Sequence, residues 1–577
     1  MKFKPFRLYL ALLIYAAVTT SLLPVQLSGQ GSPAPVRGKH GMVASAHALA
    51  SQVGVEVMKR GGNAVDAAIA VGLALAVVYP IAGNIGGGGF MVIRKKDGAS
   101  TVIDYREMAP RAATRNIYLD KDGKLIVGEG SSIIGYRSAG VPGAVAGFEL
   151  ALKKHGSGKL TWSQLIEPAR LLARNGFEVD HSFVRGIEGA KDGLSQYPES
   201  TRIFLNGGRF FKEGDMLAQP DLADTLGRIQ RFGPSEFYTG KTAELIAADM
   251  KAHNGLITME DLKNYVAKER APVIGSYRGH EIISMPPPSS GGAIMLETLN
   301  ILESYDVRAM GHNSAAKYHV MTEAMRRSFA DRAEFMGDAD FVDVPVKKLI
   351  DKEYAAARRR SINPTRASTS AEIGHGEISA RREPDQTTHY TVVDAEGNVV
   401  ATTTTINNSY GSMVTVKGAG FLLNDEMDDF AAQPGKPNMF GLIQGERNAV
   451  HPGKRPLSAM TPTIVLRKDR TPWFALGAAG GPRIISAVLQ SIINVIDHDM
   501  DIQRALDSPR IHHQWYPDEL LSERYGMSPD TRKILEDFGH KFASPRSIAT
   551  ATGIMIDEKG VRLGAIDSRG SGQAVGY

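Results

Sequence analysis

Thr387 lies in the run Asp385-Gln386-Thr387-Thr388-His389-Tyr390, where a charged, irregular stretch switches abruptly to an alternating β pattern. A threonine hydroxyl is a weak nucleophile until something takes its proton. Cutting the chain just before the threonine supplies such a base, because the freed α-amine sits on the same residue. That amine has an ordinary pKa of about 7.7–8.0, so near neutral pH it can accept a proton and return it. Read this way, the chain is a precursor and Thr387 opens the working fragment. A strand threonine by itself is only a β-former on a pleated face, and the change of texture before Thr387 sets it apart. A second candidate is Gly480-Gly481-Pro482, where a predicted strand meets a helix with proline at its start. Backbone N–H groups there lack helical partners, and glycine lets a developing oxyanion come close. A plain strand-to-helix turn would use the same glycines.

Other motifs carry less. The stretch Gly83-Asn84-Ile85-Gly86-Gly87-Gly88-Gly89 can cradle an anion, but it follows a helix and enters a strand, the reverse of a dinucleotide fingerprint. Gly240-Lys241-Thr242 resembles the end of a phosphate-binding loop, yet six residues separate it from Gly233 where four are needed. The fifteen histidines form no H-E-x-x-H pair, and there are no cysteines, which excludes disulfides, thiol nucleophiles and thiolate metal sites. The acidic run Asp425-Glu426-Met427-Asp428-Asp429 reads, on charge alone, as solvated or calcium-binding surface.

The elements that must position these groups follow from patterning. With 577 residues, 43% hydrophobic and 22% charged, the chain can bury a large core, and length alone suggests about four domains. The net charge of +5 is spread among acids, so there is no nucleic-acid footprint. Lys2, Lys4 and Arg7 precede the apolar run Leu8–Val18, the layout of a secretory leader ending near Gly29. The run is short for an uncleaved membrane anchor. Leu49, Val53 and Val57 have helical spacing; Gly61-Gly62 ends that helix, and Asn63 caps a buried helix over Ala64–Val78. Two strand-like runs follow, Phe90–Arg94 and Thr101–Tyr105. Residues 140–350 read mostly as helices, including Ala293–Leu302 after the Pro286–Gly292 loop. Residues 355–386 lack hydrophobic periodicity and are expected to be exposed and mobile. Beyond them come strands at Tyr390–Val393, Val399–Ile406, Thr463–Arg467 and Trp473–Leu476, a helix through Ile485–Ile496, and closing strands near Gly553–Ile556 and Val561–Ile566. Such stretches sharing one core predict layered α/β packing.

The stretch Thr387–Gly411, TTHYTVVDAEGNVVATTTTINNSYG, resembles the signature of the γ-glutamyltransferases, a family of N-terminal-nucleophile hydrolases. The similarity runs from about Gly41 to the C-terminus and includes Gly41–Phe90, the Pro286–Gly292 loop and His319–Gly337. It implies an α+β, four-layer αββα sandwich built jointly by two fragments, 30–386 and 387–577, after removal of a 1–29 signal peptide. It also implies self-cleavage of the Gln386–Thr387 bond and a persistent heterodimer. Thr387 would then attack γ-glutamyl amides such as glutathione and pass the acyl group to water, amino acids or dipeptides. By the same resemblance Thr405 bonds the nucleophile, and Gly480 and Gly481 form the oxyanion hole. Arg106 and Ser458 hold the substrate carboxylate; Asn407, Glu426 and Asp429 hold its ammonium. No metal or cofactor is implied.

Two positions depart from the family pattern. Ala459 stands where a second serine is common, removing a hydroxyl donor that is worth about 1 kcal/mol. Phe440, in the expected lid, stands where a tyrosine is common. The rival on the same fold is a glutaryl or cephalosporin acylase, whose substrate lacks an ammonium and would find Glu426 and Asp429 a liability. A rival of another class is an unprocessed binding protein.

Overall fold

Every residue of the strands Met42–Ser45 and Gly88–Arg94 is buried, yet alternate residues serve different cores. Met42, Ala44, Phe90 and Val92 join one apolar cluster, whereas Val43, Met91 and Ile93 join another. Side chains alternate between the faces of a strand, so this sheet must be covered on both sides. The computed structural model, which describes residues 31–373, 387–436, 438 and 441–577, has that layering. One seven-stranded sheet runs, in spatial order, Gln573–Gly576, Met42–Ser45, Thr388–Val393, Val399–Thr405, Gly88–Arg94, Ser100–Asp104 and Lys268–Arg270. The other runs Val36–Gly38, Arg562–Ile566, Thr550–Ile556, Pro472–Ala479, Thr463–Leu466, His280–Ser284 and Val273–Tyr277.

Pro472–Ala479 packs across the interface against Thr388–Val393 and Val399–Thr405. Helices Ala48–Lys59, Ala64–Val78 and Ala144–His155 cover the outside of the first sheet. Gly291–Leu302, Arg483–Ile496 and Ile502–Asp507 cover the second. The architecture is the α+β, four-layer sandwich expected. Both sheets mix strands from either side of residue 387, so 35–577 is one unit and not the several domains that length suggests.

Local chemistry explains the joins. Asn63 caps Ala64–Val78 in a capping box with Asp66, and the Ala64 N–H donates to Asp394 Oδ2 (2.9 Å), tying the helix to the turn after Thr388–Val393. The glycine-rich stretch is a packing device. A Cβ on Gly86, Gly87 or Gly88 would lie 2.1, 2.2 or 2.4 Å from the carbonyl oxygens of Leu422, Thr405 and Tyr105. Within that stretch Asn84 Nδ2 donates to Ala82 O (2.9 Å) and Thr405 O (2.8 Å), while its Oδ1 accepts from Gly87 N (2.8 Å).

The segment expected to be exposed and mobile departs from that reading as far as Ile373. Lys352–Arg360 and Ser370–Ile373 are helical, and Ala355 and Ser370 are buried. Their order comes from charged groups of the helix Ala315–Phe335. Arg327 Nη2 donates to Ser361 O (2.8 Å), Arg326 Nη1 to Ser370 Oγ (3.0 Å), and Glu323 Oε1 accepts from Ser368 N (3.1 Å). Hydrophobic periodicity cannot register an anchor made of buried ions. The leader expected over 1–29 and residues 374–386, Gln386 among them, lie outside the described residues. Among those described, no helix is long and apolar enough to cross a membrane.

Asn84→Ala should strand the buried Gly87 N–H and Thr405 carbonyl. We expect a loss of about 2–3 kcal/mol, measured as a lowered midpoint in chemical denaturation. An unchanged midpoint would mean that the loop is held elsewhere.

Candidate functional site

Thr388 pairs with Thr404 across the central strands, and the same register carried one residue further sets Thr387 opposite Thr405. Thr387, just before the central strand Thr388–Val393, is 6% exposed. Thr405 Oγ1 accepts from Asn407 N (2.8 Å). Asn407 turns sharply at φ 72° and donates Nδ2 to Asp425 O (3.0 Å). Asn424 fixes the next turn: its Oδ1 accepts from Glu426 N (3.0 Å) and Gly140 N (2.8 Å), and its Nδ2 donates to Gly86 O (2.8 Å). The acids of this turn are used internally instead of lying on solvated surface. Asp425 accepts from Asn408, Asp428 from Ser132, and Glu426 and Asp429 pair with Arg106.

Arg106 leaves the end of Ser100–Asp104 wholly buried. Its Nε donates to Pro456 O (3.2 Å), its Nη1 pairs with Glu426 and its Nη2 with Asp429. Glu107 lies behind, 3.6 Å from Nη1, with its buried carboxyl against that of Glu426. Ser458 approaches from a third direction, gripped by the Pro286–Gly292 loop. Ser290 N and Oγ both donate to Ser458 O (2.9 and 2.8 Å), and Ser289 Oγ donates to Met460 O (2.6 Å). Ser458 Oγ accepts from Met460 N (3.0 Å), which leaves its proton for the cavity.

Gly480 (φ 142°) and Gly481 (φ 55°) join Pro472–Ala479 to Arg483–Ile496 in a conformation that only glycine adopts readily. A Cβ on Gly480 would also lie 2.8 Å from the Ala549 backbone. Gly481 joins Arg106, Thr387, Thr405, Asn407, Glu426, Asp429 and Ser458 around a cavity of about 20 Å³. Gly480 lines a neighbouring cavity of about 280 Å³ that Thr387 also lines. Leu442 closes part of the smaller cavity, whereas Phe440 lies outside the described residues.

Two groups escaped the sequence reading. Glu107 follows Arg106 directly, and Arg332 reaches the cavity from the helix Ala315–Phe335. Only its burial inside an otherwise enclosed helix distinguishes Arg332, and a sequence does not display that. His389, two residues from Thr387, is committed elsewhere. Its ring nitrogens face Thr403 Oγ1 (2.8 Å) and Thr391 Oγ1 (3.1 Å), and burial pushes it down to about 3, so it is neutral.

Charge in the site follows from confinement. Burial opposes the Arg106 charge, but Glu426, Asp429 and Glu107 outweigh it and hold the guanidinium above its ordinary range. Burial raises Glu426 and Asp429 against the pull of Arg106, and lowers Arg332 to about 10, which leaves it protonated at neutral pH. Burial raises Glu107 from 4.5 to about 7, with Arg106 opposing. A carboxyl whose folded value is raised binds its proton more tightly when folded. Its contribution to stability is therefore full below about 4.5 and is lost as pH rises through about 7. Glu107→Gln should flatten that part of the profile: melts at about pH 5 and about pH 8 should differ less than in the parent protein. An identical drop in both proteins would show that Glu107 does not drive it.

The gamma-glutamyltranspeptidase family model matches residues 50–577. The glutathione hydrolase proenzyme of Pseudomonas sp. (strain A14) is 47% identical over 98% of this chain and 98% of its own length. That of Escherichia coli (strain K12) is 48% identical, covering 93% of this chain and 91% of the relative. Among solved structures, the cephalosporin acylase from Bacillus halodurans superposes with a TM-score of 0.82 at 26% identity, over 96% of this chain and 99% of the acylase. A match spanning nearly the whole sequence, on a sandwich that gathers Thr387, Arg106 and the two acids at one cavity, places this chain in the gamma-glutamyltranspeptidase family.

Proposed function

We propose that this protein is a proenzyme that cuts itself before Thr387 and then cleaves γ-glutamyl amides such as glutathione. The acyl group goes to water or to the amine of an amino acid or dipeptide. One observation carries the substrate class: Arg106 is paired with Glu426 and Asp429 beside Thr387. A cavity of about 20 Å³ holds roughly one water, so a donor enters only as this ion set opens. An α-amino acid head group carries both charges. Its carboxylate can take Arg106 and Ser458 while its ammonium takes Glu426, Asp429 and Asn407, leaving no buried charge alone. A glutaryl head group would take the arginine and strand two carboxylates, a penalty of several kcal/mol. The likeness to a cephalosporin acylase therefore supports the shared fold more than a shared substrate.

In the proposed reaction Thr387 Oγ attacks the γ-carbonyl as the Thr387 α-amine takes its proton. The N–H groups of Gly480 and Gly481 receive the oxyanion. The amine returns the proton to the leaving nitrogen, the amide C–N bond breaks, and a threonyl ester remains. Water or an acceptor amine, deprotonated by the same α-amine, attacks the ester and frees Thr387. In the precursor the same hydroxyl attacks the Gln386 carbonyl and water opens the resulting ester. The two fragments, 30–386 and 387–577, remain associated through their shared sheets. With the leader 1–29 directing export, the substrates are extracytoplasmic γ-glutamyl compounds.

Mass and N-terminal sequence of the purified protein should give two fragments, the smaller beginning at Thr387. A single uncut chain would leave a binding protein as the better reading. Thr387→Ala should stay whole, and Thr387→Ser should still be cut, more slowly; normal cutting of the alanine variant would move the nucleophile elsewhere. Arg106→Ala should mature but raise KM for glutathione by roughly 10-fold or more, as loss of a charge-assisted bond implies. Preference for glutaryl over γ-glutamyl amides would overturn the assignment.

A further inference from the structure

The α-carboxylate of a γ-glutamyl donor offers about four acceptor positions. A guanidinium fork from Arg106 satisfies two and the Ser458 hydroxyl a third. The side on which the family pattern places another serine is here bounded by the Ala459 methyl. Arg332 lines the same cavity, only 1% exposed. Its Nε donates to Ser290 Oγ (2.8 Å), and that hydroxyl donates to Ser458 O (2.8 Å), so Arg332 is locked to the backbone that presents Ser458. Its Nη1 is buried without a hydrogen-bond partner among the described residues. A buried guanidinium nitrogen left unpaired at the wall of a binding cavity is an unmet cost unless something arrives to accept from it.

We propose that Arg332 is a second cationic contact for the α-carboxylate of the γ-glutamyl donor, supplying from the helix Ala315–Phe335 the hydrogen bond that Ala459 cannot. This rests on the γ-glutamyl reading given above and deepens it. Arg332 also sets a second cation, beside Arg106, on the wall that carries Glu426 and Asp429. The substitution at Ala459 then carries little penalty, which revises the weakened donor binding expected from the missing serine alone.

The test compares γ-glutamyl-p-nitroanilide with 4-aminobutyryl-p-nitroanilide, the same substrate without its α-carboxylate. Arg332→Gln should raise KM for the γ-glutamyl compound roughly 10-fold or more, keep kcat within about threefold, and leave kcat/KM for the 4-aminobutyryl compound within about twofold. Adding Ala459→Ser to Arg332→Gln should recover part of the lost KM. Equal losses on both substrates, or no change on either, would assign Arg332 to the packing around Ser290 and overturn the proposal. Failure of the parent protein to turn over γ-glutamyl-p-nitroanilide would instead strike at the function on which the proposal rests. Should Arg332→Gln fail to mature, Ala459→Ser in the otherwise intact chain decides. It should lower KM by less than about twofold because Arg332 already serves that side, and a tenfold fall would overturn the proposal.

Discussion

Arg106 is buried against Glu426 and Asp429, and much of the surrounding structure exists to make that burial tolerable. Taking one such ion out of water costs several kcal/mol unless partners repay it with good geometry. The partners here are set by backbone. Pro456 O receives the Arg106 Nε, Tyr265 Oη donates to Arg106 O (2.8 Å), and Asn424 fixes the turn that carries both acids. A site held closed by its own ions is selective, because only a ligand bearing both charges can part them without leaving one unpaired. Affinity is then a difference between two well-paired states, and specificity lies in what happens when one charge is missing.

The sheets supply the other constraint. The Thr388–Thr404 register brings Thr387 to Thr405, and the turn at Gly480-Gly481 delivers its amides from the neighbouring sheet. Neither sheet could move by one residue without sending every side chain to the opposite face. Strand alternation thus fixes the neighbours of Thr387 as firmly as any direct bond. The Pro286–Gly292 loop extends the same logic to Ser458, which it clasps through backbone and hydroxyl groups alike.

Legibility followed the kind of force involved. Strands and helices set by apolar periodicity were readable, among them Thr388–Val393, Val399–Thr405 and Arg483–Ile496, as was the Asn63 cap, whose signal is local. The glycines of 83–89 announced close approach, but not that the neighbours would be the Thr405 and Tyr105 carbonyls. What stayed hidden depended on distant charges. The order in 355–373 rests on Arg326, Arg327 and Glu323. The environments of Glu107 and Arg332 arise only when segments distant in sequence converge. The acids at 426 and 429 looked like solvated surface by composition, and only the resemblance to a family pointed them inward.

The alternation of strands from both sides of residue 387 has a temporal consequence. Arg106, Thr405 and Gly481 meet Thr387 only when both sheets are complete. A chain with either sheet misassembled has the right residues and no site. The proposed self-cleavage, depending on this convergence, would report on folding: the bond before Thr387 would break in molecules that have reached the native topology and stay intact in those that have not. Under that proposal activation and quality control would be one event, with catalytic power withheld from any copy that could not hold its substrate.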